Sequence, residues 1–182
     1  MTRAARWFAT LVAVVSLLSL AGAMTFVAGG TQLPPATPET SATPSVPAVV
    51  RAVLAAELPA TAPGQELQLV RYVIQPDTRL ATHVHPGTQI ASIEAGVLTY
   101  TVLTGEVPVT RAVAGGTPTP VETVRAGQTT RLHPGDAVIE RPGVVHFGAN
   151  KGAEPVVILA ATLLTAGQSA AIPVNDLGTP MT

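Results

Sequence analysis

His83 and His85 stand two residues apart in the stretch 80–96, LATHVHPGTQIASIEAG. Successive side chains of a strand leave opposite faces, so both imidazoles leave the same one. Pro86-Gly87 breaks regular pairing after them, and Gln89 restores the parity. Positions 83, 85, 89, 91 and 93 then share one face, provided the strand runs on without a bulge. That face carries two imidazoles, an amide oxygen, and then Ala91 and Ile93, a polar spot against an apolar lining. The stretch 135–150, GDAVIERPGVVHFGAN, adds His146 behind a Pro142-Gly143 turn. Three imidazoles and one oxygen donor make a ligand set for a divalent transition metal ion. Fe, Mn, Ni, Cu, Zn and Co all accept it, so the pattern leaves the metal open.

The two stretches resemble the paired motifs of the cupin family. The first family motif runs His-x-His, three or four residues, Glu, six residues, Gly; here it reads His83, His85, Gln89, Gly96. The second runs Gly, five residues, Pro-x-Gly, two residues, His, three residues, Asn; here it reads Gly135, Arg141 at the proline position, Gly143, His146, Asn150. The likeness covers about residues 66–165. It implies one double-sheet jelly-roll barrel whose metal is held by His83, His85, Gln89 and His146. It also implies oxygenase or related oxidoreductase chemistry on a small organic molecule.

Gln89 departs from that pattern, because it stands where the family has its glutamate ligand. An amide oxygen is neutral and a weaker donor. It leaves a divalent ion its full charge of about +2, where a glutamate would leave about +1. An amide also takes no proton at neutral pH, so this position offers no base. The alternative is a non-catalytic domain that binds a small ligand, or serves as a scaffold, without metal. Among the other polar residues, Glu94 has the wrong strand parity and reads as an exposed turn carboxylate. Glu140 reads as outward, and His133, in His-Pro-Gly-Asp, as a surface turn residue. Tyr100 and Phe147 read as core. Gly96, Gly135 and Gly143 read as turn glycines with positive φ. Asn150 reads as a turn hydrogen-bonder.

Short strands must position these residues. β-type runs fall at 49–57, 66–74, 81–85, 88–94, 97–103, 107–113, 121–125, 128–132, 137–140, 145–149 and 156–165. Turn signals such as Pro63-Gly64, Pro76-Asp77 and Pro134-Gly135-Asp136 separate them. No long amphipathic helix follows residue 48, so the chain predicts an all-β sandwich or barrel over 49–166. Residues 105–130 predict an elongated hairpin with its tip near 114–120. The tail 167–182 is small and polar. It is expected either to hang free or to lie along a partner subunit, which leaves a homodimer open.

At 182 residues the chain has room for one such domain and an appendage. Its net charge of −1, with no basic stripe, speaks against nucleic acid. The absence of cysteine excludes disulfides and thiolate metal sites. Arg3 and Arg6 precede an uncharged apolar run, so residues 1–28 predict a cleaved signal peptide or a retained membrane anchor. Either would export the rest, as a secreted or periplasmic protein or one anchored to the outer face of the cytoplasmic membrane, touching membrane only through that segment. The Pro/Thr-rich residues 29–48 predict an extended linker.

Overall fold

The computed structural model describes residues 46–181. The expected export segment, 1–28, and most of the linker, 29–48, lie outside the described residues. Among the described residues no helix is long and apolar enough to cross a membrane.

Thirteen strands form the described domain. They are β1 (Val49–Glu57), β2 (Gln65–Ile74), β3 (Thr78–Arg79), β4 (His83–Val84), β5 (Gly87–Ala95), β6 (Leu98–Thr104), β7 (Glu106–Arg111), β8 (Thr119–Arg125), β9 (Thr129–Leu132), β10 (Asp136–Glu140), β11 (Val145–Asn150), β12 (Val156–Thr165) and β13 (Ile172–Pro173). One sheet has the order β1-β2-β12-β5-β10-β7-β8, and the other β13-β4-β11-β6-β9, with β3 beside β11. These strands pair antiparallel throughout.

Alternation in the sequence decides which face is buried. On β5, Gly87, Gln89, Ala91 and Ile93 are buried while Thr88 and Ile90 are exposed. On β12, Val156, Ile158, Ala160, Thr162 and Leu164 all point inward. Their counterparts from the second sheet, Leu98, Tyr100, Val102 and Leu132, complete one core between the two layers. All eleven expected strands are present, with ends shifted by a few residues. The expected hairpin is β7 paired with β8.

Gly87 and the tail differ from the sequence expectation. Gly87 does not break pairing: it is the first residue of β5 and sits opposite Leu164 of β12. A Cβ there would lie 2.8 Å from the Leu164 Cα, so close strand approach, not a turn, requires glycine. The tail does not hang free at residues 172–174. Ile172 and Pro173 pair with Val84 and His83, and the Val174 amide donates to the Thr82 carbonyl at 3.0 Å. Val174 is buried. The tail thus braces the strand that carries the first histidine.

The expected turn glycines do have positive φ, 73° at Gly96, 91° at Gly135 and 81° at Gly143. Asn150 closes the turn after β11. Its amide donates to the Ile74 and Glu154 carbonyls at 3.0 and 2.9 Å, and its oxygen accepts from the Gly152 amide at 3.0 Å.

Candidate metal centre

The two histidine stretches meet across the second sheet. His83 on β4 lies directly opposite His146 on β11. His85 follows β4 on the same face. Ring centroids are 4.4 Å apart for His83 and His146, 4.9 Å for His83 and His85, and 5.1 Å for His85 and His146. One nitrogen from each ring falls within 4.8 Å of the others.

Each ring is oriented by the backbone. Nδ1 of His83 meets the Ala81 carbonyl at 2.8 Å, Nδ1 of His85 the Ala170 carbonyl at 2.6 Å, and Nδ1 of His146 the Val144 carbonyl at 3.1 Å. A carbonyl only accepts, so each Nδ1 carries a proton and donates it. In the neutral ring Nε2 then keeps its lone pair. Carbonyls behind the rings that fix tautomer and direction are the usual support of histidine metal ligands. The donor set therefore fits a divalent transition metal ion. The Ala170 acceptor belongs to the tail, whose contribution to the site was not legible from its small polar residues.

Glu140 is the main correction to the sequence expectation. It is not outward but 3% exposed. Asp136, Val138 and Glu140 share the inward face of β10, and the β10–β5 register sets Glu140 opposite Gln89. Its carboxylate straddles two imidazoles, with Oε2 3.1 Å from Nε2 of His85 and Oε1 3.1 Å from Nε2 of His146. It also accepts from Gln89 Nε2 at 2.6 Å and from the Tyr100 hydroxyl at 2.8 Å. Gln89 joins the histidines in the buried cluster. Its amide nitrogen faces Glu140 and lies 3.2 Å from Nε2 of His85, while its buried Oε1 has no partner.

Tyr100 is buried as expected, but its hydroxyl is part of the site. Phe147 is only half-buried and lies beneath the Arg79 guanidinium, 3.8 Å from ring centre to cation. Glu94 is exposed and pairs with Arg71 at 3.1 Å, and His133 is exposed, both as read from sequence.

Burial and the neighbouring charges set the protonation states. Burial lowers His83 from 6.5 to about 4, helped by His146 and His85 nearby. Burial alone would also lower His146, but the Glu140 charge and hydrogen bond outweigh it and hold His146 above its ordinary value. Burial pushes Glu140 up, yet the contacts with His146 and His85 prevail and hold it well below the usual carboxylate range. The Tyr100 hydroxyl is pushed up by burial and then by the Glu140 charge.

The cluster forms the polar end of a cavity of about 250 Å³ between the sheets. Ile74, Leu80, Ile93, Leu98, Leu132 and Ile158 supply apolar walls, and Ala171 and Pro173 of the tail line it as well. No lysine or arginine is among the described lining residues.

The described domain is thus a two-layer antiparallel jelly roll with three imidazoles turned toward one another inside it, the arrangement that the motif resemblance implies. Structural neighbours of the chain include cupin and double-stranded β-helix proteins. A cupin 2 domain-containing protein from Halorhodospira halophila has 14% identity and a TM-score of 0.47, with 75% of this chain and 77% of that one covered. A cupin-like protein from Thermotoga maritima has 19% identity and a TM-score of 0.45, with 69% and 75% covered. An uncharacterised double-stranded β-helix protein from Klebsiella pneumoniae has 24% identity and a TM-score of 0.38, with 70% and 85% covered. No family model and no curated protein matches the chain.

Proposed function

We propose that this chain is an exported cupin-type domain that holds a divalent transition metal ion on His83, His85 and His146 and takes a small organic molecule into its barrel. One observation carries the proposal. Three imidazoles, each tied through Nδ1 to a backbone carbonyl, turn toward one buried spot at the polar end of an apolar cavity. Nitrogen and oxygen donors of this kind suit Fe, Mn, Co, Ni, Cu or Zn.

The cavity supports a guest with a compact apolar body and an acidic head. Its volume falls below the roughly 300–1,000 Å³ of sites for drug-sized molecules. With no cationic side chain in the wall, an anionic head would find its positive partner in the ion. A bound divalent ion would supply Lewis acidity toward an oxygen of that guest. Oxygenase or related oxidoreductase chemistry is the finer assignment, supported by the motif likeness. Glu140 and Tyr100 give the cavity the ionisable groups that Gln89 denies it. The Trp7–Ala28 run behind Arg3 and Arg6 supports export.

A metal-free ligand-binding domain is the second reading, and one contact favours it. A protonated His146 and Glu140, 3.1 Å apart, satisfy one another without an ion. Thermal unfolding separates the two. Under metal ligation, one or more of these six ions raises the midpoint, and chelator reverses the rise. An identical midpoint with all six ions and with chelator would refute metal binding.

A further inference from the structure

The geometry points to Glu140 as the carboxylate ligand of this centre, with Gln89 as the residue that positions it. The inference rests on the metal reading above and deepens it. The charge absent from position 89 is supplied one strand over, by the residue opposite it in the β5–β10 register.

Three observations carry it. First, the spacing is that of neighbouring ligands. Two donors at adjacent positions around an ion, with bonds of about 2.1 Å, sit roughly 3.0–3.4 Å apart. Glu140 oxygens lie 3.1 Å from Nε2 of His85 and 3.1 Å from Nε2 of His146, two of the three imidazoles whose nitrogens group together. Second, the facing atoms need a positive charge. With each Nδ1 donating to a carbonyl, Nε2 of a neutral ring presents a lone pair to a carboxylate that also presents lone pairs. At His85 the Gln89 amide nitrogen, 3.2 Å away, donates to that lone pair; at His146 the contact with Glu140 calls for a proton or a cation. An ion serves both imidazoles and the carboxylate together. Third, the carboxylate is held from behind as ligands are. Gln89 Nε2 donates to Oε2 and the Tyr100 hydroxyl donates to Oε1, so both oxygens are aimed.

Gln89 is poorly placed for the role its motif position suggests. Reversing its amide would set Oε1 where Nε2 now lies, 2.6 Å from a Glu140 oxygen, acceptor against acceptor. The glutamine is therefore the complement of Glu140: a glutamate at 89 would repel it, and an amide donates to it. Three neutral imidazoles and one carboxylate reduce the charge of a divalent centre from about +2 to about +1. That is the charge balance the sequence alone assigned to a glutamate at position 89.

Calorimetric titration of chelator-treated protein with the ion that gives the largest midpoint rise tests this. Glu140→Gln should weaken binding by more than about 100-fold. Gln89→Ala, which removes only a positioning donor, should weaken it about 10-fold. The swap Gln89→Glu with Glu140→Gln returns a carboxylate to the neighbouring strand and should recover most of the Glu140→Gln loss. A merely structural role for Glu140 would show no such rescue. Wild-type affinity in Glu140→Gln, or a larger loss in Gln89→Ala than in Glu140→Gln, would overturn the assignment while leaving a three-histidine site intact. Absence of binding by the wild-type protein would instead remove the metal reading itself, and the assignment with it.

Discussion

Replacing Tyr100→Phe removes one oxygen atom from the molecule and leaves the ring that packs the core. Both partners of the lost hydrogen bond are buried, Tyr100 at 2% and Glu140 at 3% exposure. The bond is 2.8 Å long and ends on a carboxylate held in its charged form. A hydrogen bond to a charged group contributes about 1.5–3 kcal/mol, and its loss strands acceptor capacity on Glu140 where water is scarce. The expected cost is thus about 2 kcal/mol, on the order of 5–10 °C in midpoint for a domain of this size. Urea unfolding at neutral pH with chelator present measures it as a shift of midpoint at constant slope. Tyr72→Phe is the matched control. Its hydroxyl accepts from Arg51 at 3.3 Å on the surface, so it should cost under about 0.5 kcal/mol. A Tyr100→Phe loss as small as the control would refute the claim that Glu140 is a charged, buried acceptor.

Three other outcomes follow from the same structure. Asn150→Ala should destabilise by about 2–4 kcal/mol in urea, because the Ile74 and Glu154 carbonyls lose their donor and the Gly152 amide its acceptor; a loss below about 1 kcal/mol would contradict this. Gly87→Ala should cost about 3 kcal/mol or prevent folding, since its Cβ meets the backbone of β12, and an unchanged midpoint would show that the strands can separate there. Metal-free protein should lose stability as pH falls from about 6.5 to 4. In that window His83 binds a proton when unfolded but not when folded. His83→Ala should flatten the slope, and a slope unchanged by that substitution would refute the assignment. His146 acts in the opposite sense, its contribution being full at lower pH and lost as pH rises through its raised value.

The sequence makes the inward face of β5 legible because alternation there is strict and its polar members match a known spacing. The same period applies to β10, where Val138 is plainly apolar and Glu140 shares its parity. A carboxylate is nevertheless placed outside by default, since burying one without partners costs too much. Its partners, Gln89, Tyr100, His85 and His146, come from other strands, and Gln89 is 51 residues away. Only the sheet register brings them together. The tail was illegible for a related reason. Its two-residue strand is too short to show a period, and its contribution to the site is a backbone carbonyl, which any residue carries. Phe147 sits where the β11–β6 register slips between Val145 and His146, so parity gives no guide to its burial.

The central claim is that His83, His85 and His146 jointly hold one metal ion. Elemental analysis of the purified chain, dialysed after exposure to Fe, Mn, Co, Ni, Cu and Zn in separate preparations, tests it most directly when His83→Ala and His146→Ala are carried in parallel. The expected result is about one ion per wild-type chain for at least one metal, and close to none for either variant. Wild-type protein without bound ion in all six preparations, or variants that retain the wild-type content, would contradict it.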